Sequence, residues 1–157
     1  MRIGQGIDVH RFSNDPERAL MLALVHVKDA PGLDGHSDAD VATHALCDAL
    51  LGAANLGDLG RHFSDTDSQY AGISSRVMLE HVLQLVRDEG LVAESADVTI
   101  VAQAPKLAAY MSEMSRALSE VLGVLVSVKA TTSEGLGAIG RKEGIAASAV
   151  VLLKETP

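Results

Sequence analysis

Tryptophan is absent from this 157-residue chain, and Tyr and Phe number two each. A core without large rings takes its shape from Leu, Val, Ile, Ala and Met, within a hydrophobic content of 47%. Cys47 is the sole cysteine, so an intrachain disulfide framework is excluded, and its helix-like neighbours mark it as a buried small hydrophobe. There are only four prolines, no stretch rich in Ser, Pro or Gly, and no internal repeat, which argues against linkers and repeat arrays. No run approaches the roughly 18 apolar residues of a membrane span, and the N-terminus lacks a basic segment leading into an apolar one. The expectation is a cytoplasmic protein with no membrane partner. Basic blocks are missing too: 13 Lys and Arg face 21 Asp and Glu, a formal charge of −8, so a long nucleic acid is not an expected partner. A small anion remains possible where metal ions, backbone N–H groups and one or two cations are supplied locally. The length suits one domain over residues 1–157.

What is present is periodicity. Residues 2–9 alternate as a strand that points Asp8 and His10 to one side. Residues 19–27 are apolar and read as a strand, with turn signals at Lys28, Asp29, Pro31 and Gly32. Ser37 and Asp38 are candidate caps for a helix over 39–55, on which Asp40, His44 and Asp48 share a face. Residues 57–72 lack helical periodicity and read as an exposed loop. A second helix spans 75–89 with Gly90 past its end, and a strand follows over 98–102. Pro105 suits the first turn of a third helix carrying Leu107, Tyr110, Met111, Met114, Leu118, Val121 and Leu122. Strands over 126–132 and 145–153 complete the order β-β-α-α-β-α-β-β. That order predicts an α+β fold, a two-layer sandwich with helices on one face of a mixed sheet.

Four clusters can do chemistry. Asp8 and His10, at i and i+2 on a strand, suit Zn²⁺ or a similar divalent ion, although His10 taken singly is more simply a hydrogen-bonded structural histidine. His44 reads either as a satisfied core residue or as a third ligand whose other ring N–H is taken by Asp40 or Asp48. Three protein ligands leave the fourth tetrahedral position open, the catalytic arrangement. Gly35-His36-Ser37-Asp38 gathers donors where a helix begins, a place that favours phosphate, while a plain capping loop accounts for Ser37 and Asp38 as well. Lys129-Ala-Thr-Thr-Ser-Glu134 ends a strand in hydroxyls and a carboxylate that suits Mg²⁺ or Mn²⁺, and a glycine-rich turn is the plainer reading. Gln103-Ala-Pro-Lys106 reads plainly as a strand-to-helix loop, yet offers amides and a cation for a base and phosphate.

G-Q-G-I-D-V-H-R-F, G-H-S-D-A-D-V-A-T-H-A-L-C-D-A-L-L-G-A-A, D-L-G, F-S-D-T-D, D-V-T-I-V-A-Q-A-P-K, K-A-T-T-S-E and G-R-K-E-G-I-A occur in this order along nearly the whole chain. Together they resemble the 2-C-methyl-D-erythritol 2,4-cyclodiphosphate synthase family. The resemblance implies a lyase of the non-mevalonate isoprenoid pathway that converts 4-diphosphocytidyl-2-C-methyl-D-erythritol 2-phosphate to the cyclic diphosphate and CMP. It implies zinc on Asp8, His10 and His44, and Mg²⁺ or Mn²⁺ on Glu134. His36 and Ser37 fall on the phosphate loop, with His36 and Thr132 catalytic. Asp58, Gly60 and Asp65 fall on the diol-binding region, and Ala102, Pro105, Lys106, Leu107, Ala130, Thr131 and Thr132 on a cytidine pocket supplied by the neighbouring subunit. Arg141 joins the substrate set and, with Glu143, caps a central cavity with room for an isoprenoid. A homotrimer with active sites between subunits is implied as well. The chain departs from the family pattern at Ala23-Leu24, where a Gly-Gly pair is usual, at Ser64 in place of proline, and at Gln5 and Ile7. The competing readings are a metal-dependent phosphodiesterase and a non-catalytic trimer that binds metal and an isoprenoid or nucleotide.

Overall fold

A computed structural model describes residues 1–64, 70 and 72–156. Strand β1 (Arg2–Arg11) leads into two three-residue strands, β2 (Leu20–Leu22) and β3 (Val25–Val27), and then helix α1 (Val41–Ala54). A one-turn helix α2 (Leu59–His62), helix α3 (Ser75–Asp88), strand β4 (Leu91–Val101), helix α4 (Met111–Leu122), strand β5 (Val126–Thr131), the short α5 (Gly137–Gly140) and strand β6 (Gly144–Glu155) follow. The main sheet has the order β1-β6-β4-β5. Only β4 and β5 pair in parallel, so the sheet is mixed, as expected. Helices α1 and α4 pack against it and α3 leans on α1. None of the described helices is long and apolar enough to cross a membrane.

Small residues set the distance between α1 and the sheet. Gly4 and Gly6 face α1, and a Cβ added at either would stand 1.9 Å from the Ala49 carbonyl oxygen or 2.0 Å from that of Ala45. Ala45, Ala49 and Ala53, one turn apart, form the matching stripe on the helix. With α3 on its other side, α1 is apolar nearly all round, and of its residues only Asp48 and Gly52 escape burial. The odd positions of β1 point the other way: Ile3, Ile7 and Val9 are exposed, and Val150 of β6 shares that exposure.

The sequence reading needs five local corrections. Residues 19–27 are not one strand but an antiparallel hairpin, turned at Ala23 (φ 50°) and Leu24 (φ 67°). Positive φ at both central positions is what a tight two-residue hairpin turn demands, and no glycine advertises it here. Asp40 supplies the compensation: its carboxylate accepts from the N–H groups of Ala23 (2.8 Å) and Leu24 (2.7 Å), and from Thr43 N at 3.0 Å as the N-cap of α1. The cap is therefore Asp40, not Ser37 or Asp38. Strand β4 starts seven residues earlier than expected, and α2 interrupts the loop over 57–72. Pro105 does not open a helix; the Ala104–Pro105 peptide is cis, a 3₁₀ turn occupies Ala108–Tyr110, and α4 begins only at Met111.

Candidate active site

The close approach that Gly4 and Gly6 permit has a consequence further along the same face of β1. The next inward residues are Asp8 and His10, and the next turn of α1 carries His44. Asp8 Oδ2 stands 3.0 Å from His10 Nε2 and 3.0 Å from His44 Nδ1. One candidate ligand atom from each residue lies within 4.8 Å of the other two, and among the described residues this is the one such trio of His, Cys, Asp or Glu.

Both imidazoles are held from behind, as metal-binding histidines are. His10 Nδ1 donates to the Asp34 carbonyl at 2.6 Å, which turns Nε2 inward. Gly35 lies against the same ring, where an added Cβ would come 3.0 Å from Cε1. His44 Nε2 faces Ser75 Oγ at 3.0 Å and Ser37 Oγ at 3.2 Å. The expectation that Asp40 or Asp48 takes this nitrogen is overturned: Asp40 serves the hairpin turn, and Asp48 accepts from Leu59 N at 2.7 Å. Helical spacing put the two aspartates beside His44, but their carboxylates turn toward backbone donors in neighbouring loops.

Electrostatics match the geometry. Burial by itself would raise the Asp8 carboxyl, yet the hydrogen bonds from His10 and His44 hold it well below the usual carboxylate range. The bond to Asp8 raises His10 against the opposing effect of burial. Burial pushes Asp48 up. An anionic oxygen between two imidazoles, with both outer nitrogens engaged, is a donor set suited to a divalent cation.

The trio lies at the base of an open cleft of about 540 Å³, which His36, Ser37, Asp48, Gly60, Phe63, Tyr70, Ile73 and Met78 also line. Arg18, which the sequence reading missed, ties down the segment that carries His36 and Ser37. Its guanidinium donates to the carbonyls of Leu33, Gly35 (2.9 Å) and Ser37. Asp58 is absent from the lining; it caps α2 by accepting from Arg61 N at 3.0 Å. Asp65 lies outside the described residues.

A second cleft, about 490 Å³, gathers Ala102, Gln103, Pro105, Lys106, Leu107, Ala130, Thr131 and Thr132 where β4 and β5 end side by side. Gln103 Oε1 accepts from Gly135 N at 3.1 Å, and Thr132 Oγ1 donates to Glu134 at 3.1 Å, so the Glu134 turn hangs on the rim. Arg141 lies in neither lining; it is exposed and pairs with Glu143 at 2.6 Å.

A profile of the YgbB family matches residues 1–154. The 2-C-methyl-D-erythritol 2,4-cyclodiphosphate synthase of Aliivibrio salmonicida is 54% identical over 156 residues, which are 98% of this chain and 97% of that one. The chain belongs to this synthase family. Among solved structures, the bifunctional IspDF of Campylobacter jejuni superposes with a TM-score of 0.92 at 41% identity, over 98% of this chain but only 42% of that longer one. IspF from Plasmodium falciparum, solved as a CDP complex, gives 0.85 at 31% identity and covers 99% and 97% of the two chains. Family membership and the trio together make the Asp8, His10 and His44 cluster a candidate metal site.

Proposed function

We propose that the chain is a single catalytic domain that closes 4-diphosphocytidyl-2-C-methyl-D-erythritol 2-phosphate into the cyclic diphosphate and releases CMP. The observation that carries the reading is the pairing of a metal-competent trio under His36 and Ser37 with a separate cleft framed by the residues assigned to cytidine, in a member of this synthase family.

Asp8, His10 and His44 would hold zinc, and Glu134 would hold Mg²⁺ or Mn²⁺; cations bound there would supply positive charge to neutralise the substrate phosphates. His36 and Ser37 donate to a substrate phosphate from the loop that Arg18 ties down. Asp58, Gly60 and Asp65 bind the diol. Ala102, Pro105, Lys106, Leu107, Ala130 and Thr131 enclose the cytidine, and Thr132 contacts the phosphate next to it. Arg141, outside both clefts and paired with Glu143, caps the central cavity as part of a charged ring.

The 2-phosphate oxygen forms a bond to the β-phosphorus as the bond from that phosphorus to the bridging oxygen breaks, and CMP leaves with the bridging oxygen. A phosphate is already ionised at neutral pH, so this chain supplies no nucleophile and no strong base. Its residues fold the substrate into an attack geometry, an effect worth about 7–11 kcal/mol at its upper limit.

The two clefts flank opposite edges of the sheet, β1 on one side and β5 on the other. Three strand spacings, roughly 14 Å, separate those edges, which supports a site completed by a neighbouring subunit. The open face bearing Ile3, Ile7, Val9 and Val150 supports burial at the centre of a homotrimer, around a cavity able to take an isoprenoid. A cytoplasmic location fits this soluble substrate.

The test is incubation of the protein and substrate with Mg²⁺, followed by phosphorus NMR, with His44→Ala in parallel. Cyclic diphosphate and CMP from the wild type, lost in the variant, are expected. A linear product with CMP would mark a phosphodiesterase and overturn the proposal.

A further inference from the structure

His44 has one nitrogen toward Asp8 and the other toward two serines that differ in kind. Ser37 lines the open cleft and accepts from Ala39 N at 3.0 Å. Ser75, the first residue of α3, is fully buried and is absent from the cleft lining. Asp38 clamps it twice: one carboxylate oxygen accepts from Ser75 N at 2.9 Å and the other accepts the Ser75 hydroxyl proton.

A hydroxyl has one proton to give. With that proton committed to Asp38, Ser75 Oγ can only accept from His44 Nε2, 3.0 Å away. When the ring ligates a cation as a neutral imidazole, its proton therefore stays on Nε2, and Nδ1, which faces Asp8 at 3.0 Å, is the nitrogen left to ligate. A metal ligand on a histidine is set by what the opposite nitrogen does. We propose that Ser75, clamped by Asp38, is a positioning residue that fixes the ring orientation and tautomer of His44 for metal binding. The inference rests on the reading of Asp8, His10 and His44 as a divalent-cation site.

Ser74, the neighbouring N-cap of α3, accepts from Arg76 N at 3.2 Å and has no bond to His44 among those described, so it separates capping from positioning. Zinc affinity is measured by competition with a chromophoric chelator for wild type, Ser75→Ala and Ser74→Ala, with thermal unfolding alongside. Ser75→Ala is expected to bind zinc about 10–100-fold more weakly, whereas Ser74→Ala loses thermal stability and keeps wild-type affinity. Long-range ¹H–¹⁵N spectra of the zinc-loaded wild type should show His44 protonated at Nε2, and this needs no variant to fold. Wild-type affinity in Ser75→Ala, an equal loss in Ser74→Ala, or an unprotonated Nε2 overturns the inference. Failure of the wild type itself to bind zinc overturns the metal site instead.

Discussion

Replacing Gly6 by alanine tests how the strand and helix build the site, because the residue touches no ligand atom itself. The added Cβ would lie 2.0 Å from the Ala45 carbonyl oxygen, 2.7 Å from Ala49 N and 2.9 Å from Asp48 Cβ. An ordinary contact is about 3.4 Å or more, so α1 must retreat from β1 by over 1 Å. None of the three contacts is the flexible end of a long side chain. Overpacking of this kind costs about 1–3 kcal/mol, and a displacement of 1 Å at reacting groups can cost on the order of 100-fold in rate. His44 sits one residue from Ala45 and moves with it, while Asp8 stays on the strand. The expected result is a lowered urea midpoint, zinc affinity reduced about 10–100-fold, and turnover reduced about 100-fold. Gly52→Ala is the control: no atom lies within 4 Å of its added Cβ, and the position is helical and exposed. It should gain about 0.5–1 kcal/mol and leave zinc binding unchanged. Gly6→Ala with wild-type stability and zinc affinity would refute the packing argument.

Ala23→Gly removes a Cβ from a positive-φ position and with it a fully buried methyl, so relief of about 1 kcal/mol of strain is offset by about 0.8 kcal/mol of lost burial and the thermal midpoint is expected to stay near that of wild type; a clear fall in the midpoint would show that the Asp40 clamp leaves no strain. The pairing with Asp8 raises His10 above its ordinary 6.5, so its contribution is complete below pH 6.5 and is lost as pH climbs through the raised value. For the zinc-free protein, the gap in thermal midpoint between wild type and His10→Gln should therefore stay constant in mild acid and shrink as the solution is made alkaline; a gap that widens contradicts the sign. If each active site joins two subunits, His44→Ala and Ala130→Trp chains, each inactive, should recover about one quarter of wild-type activity when refolded together at equal ratio. No recovery would place both clefts in one subunit's site.

Much of the site could be read from the chain because period-two and helical spacing decide it locally. Asp8 and His10 point together on any strand, and an imidazole amid the alanines of α1 stands out by chemistry. Ser75 could not be read this way. It meets His44 across 31 residues, and the packing of α3 on α1 creates the contact. Arg18 is hidden for the same reason, since it reaches carbonyls 15–19 residues away. The Ala23-Leu24 turn lacks the glycine that marks its backbone, and the Asp40 carboxylate does the work of that missing signal. Near Pro105, Leu107 and Tyr110 continue the apolar stripe of α4 in sequence, yet Tyr110 leaves the helix as the last residue of the 3₁₀ turn and its hydroxyl accepts from Lys28 N at 3.2 Å. Asp48 and Asp40 mislead in the opposite sense: correct spacing, different partners.

Isotope labelling separates attack by the substrate's own phosphate from attack by water. The reaction is run in H₂¹⁸O, and CMP and the product are analysed by mass spectrometry. Cyclic diphosphate and CMP that both carry no ¹⁸O are expected; one ¹⁸O in either product would contradict the account.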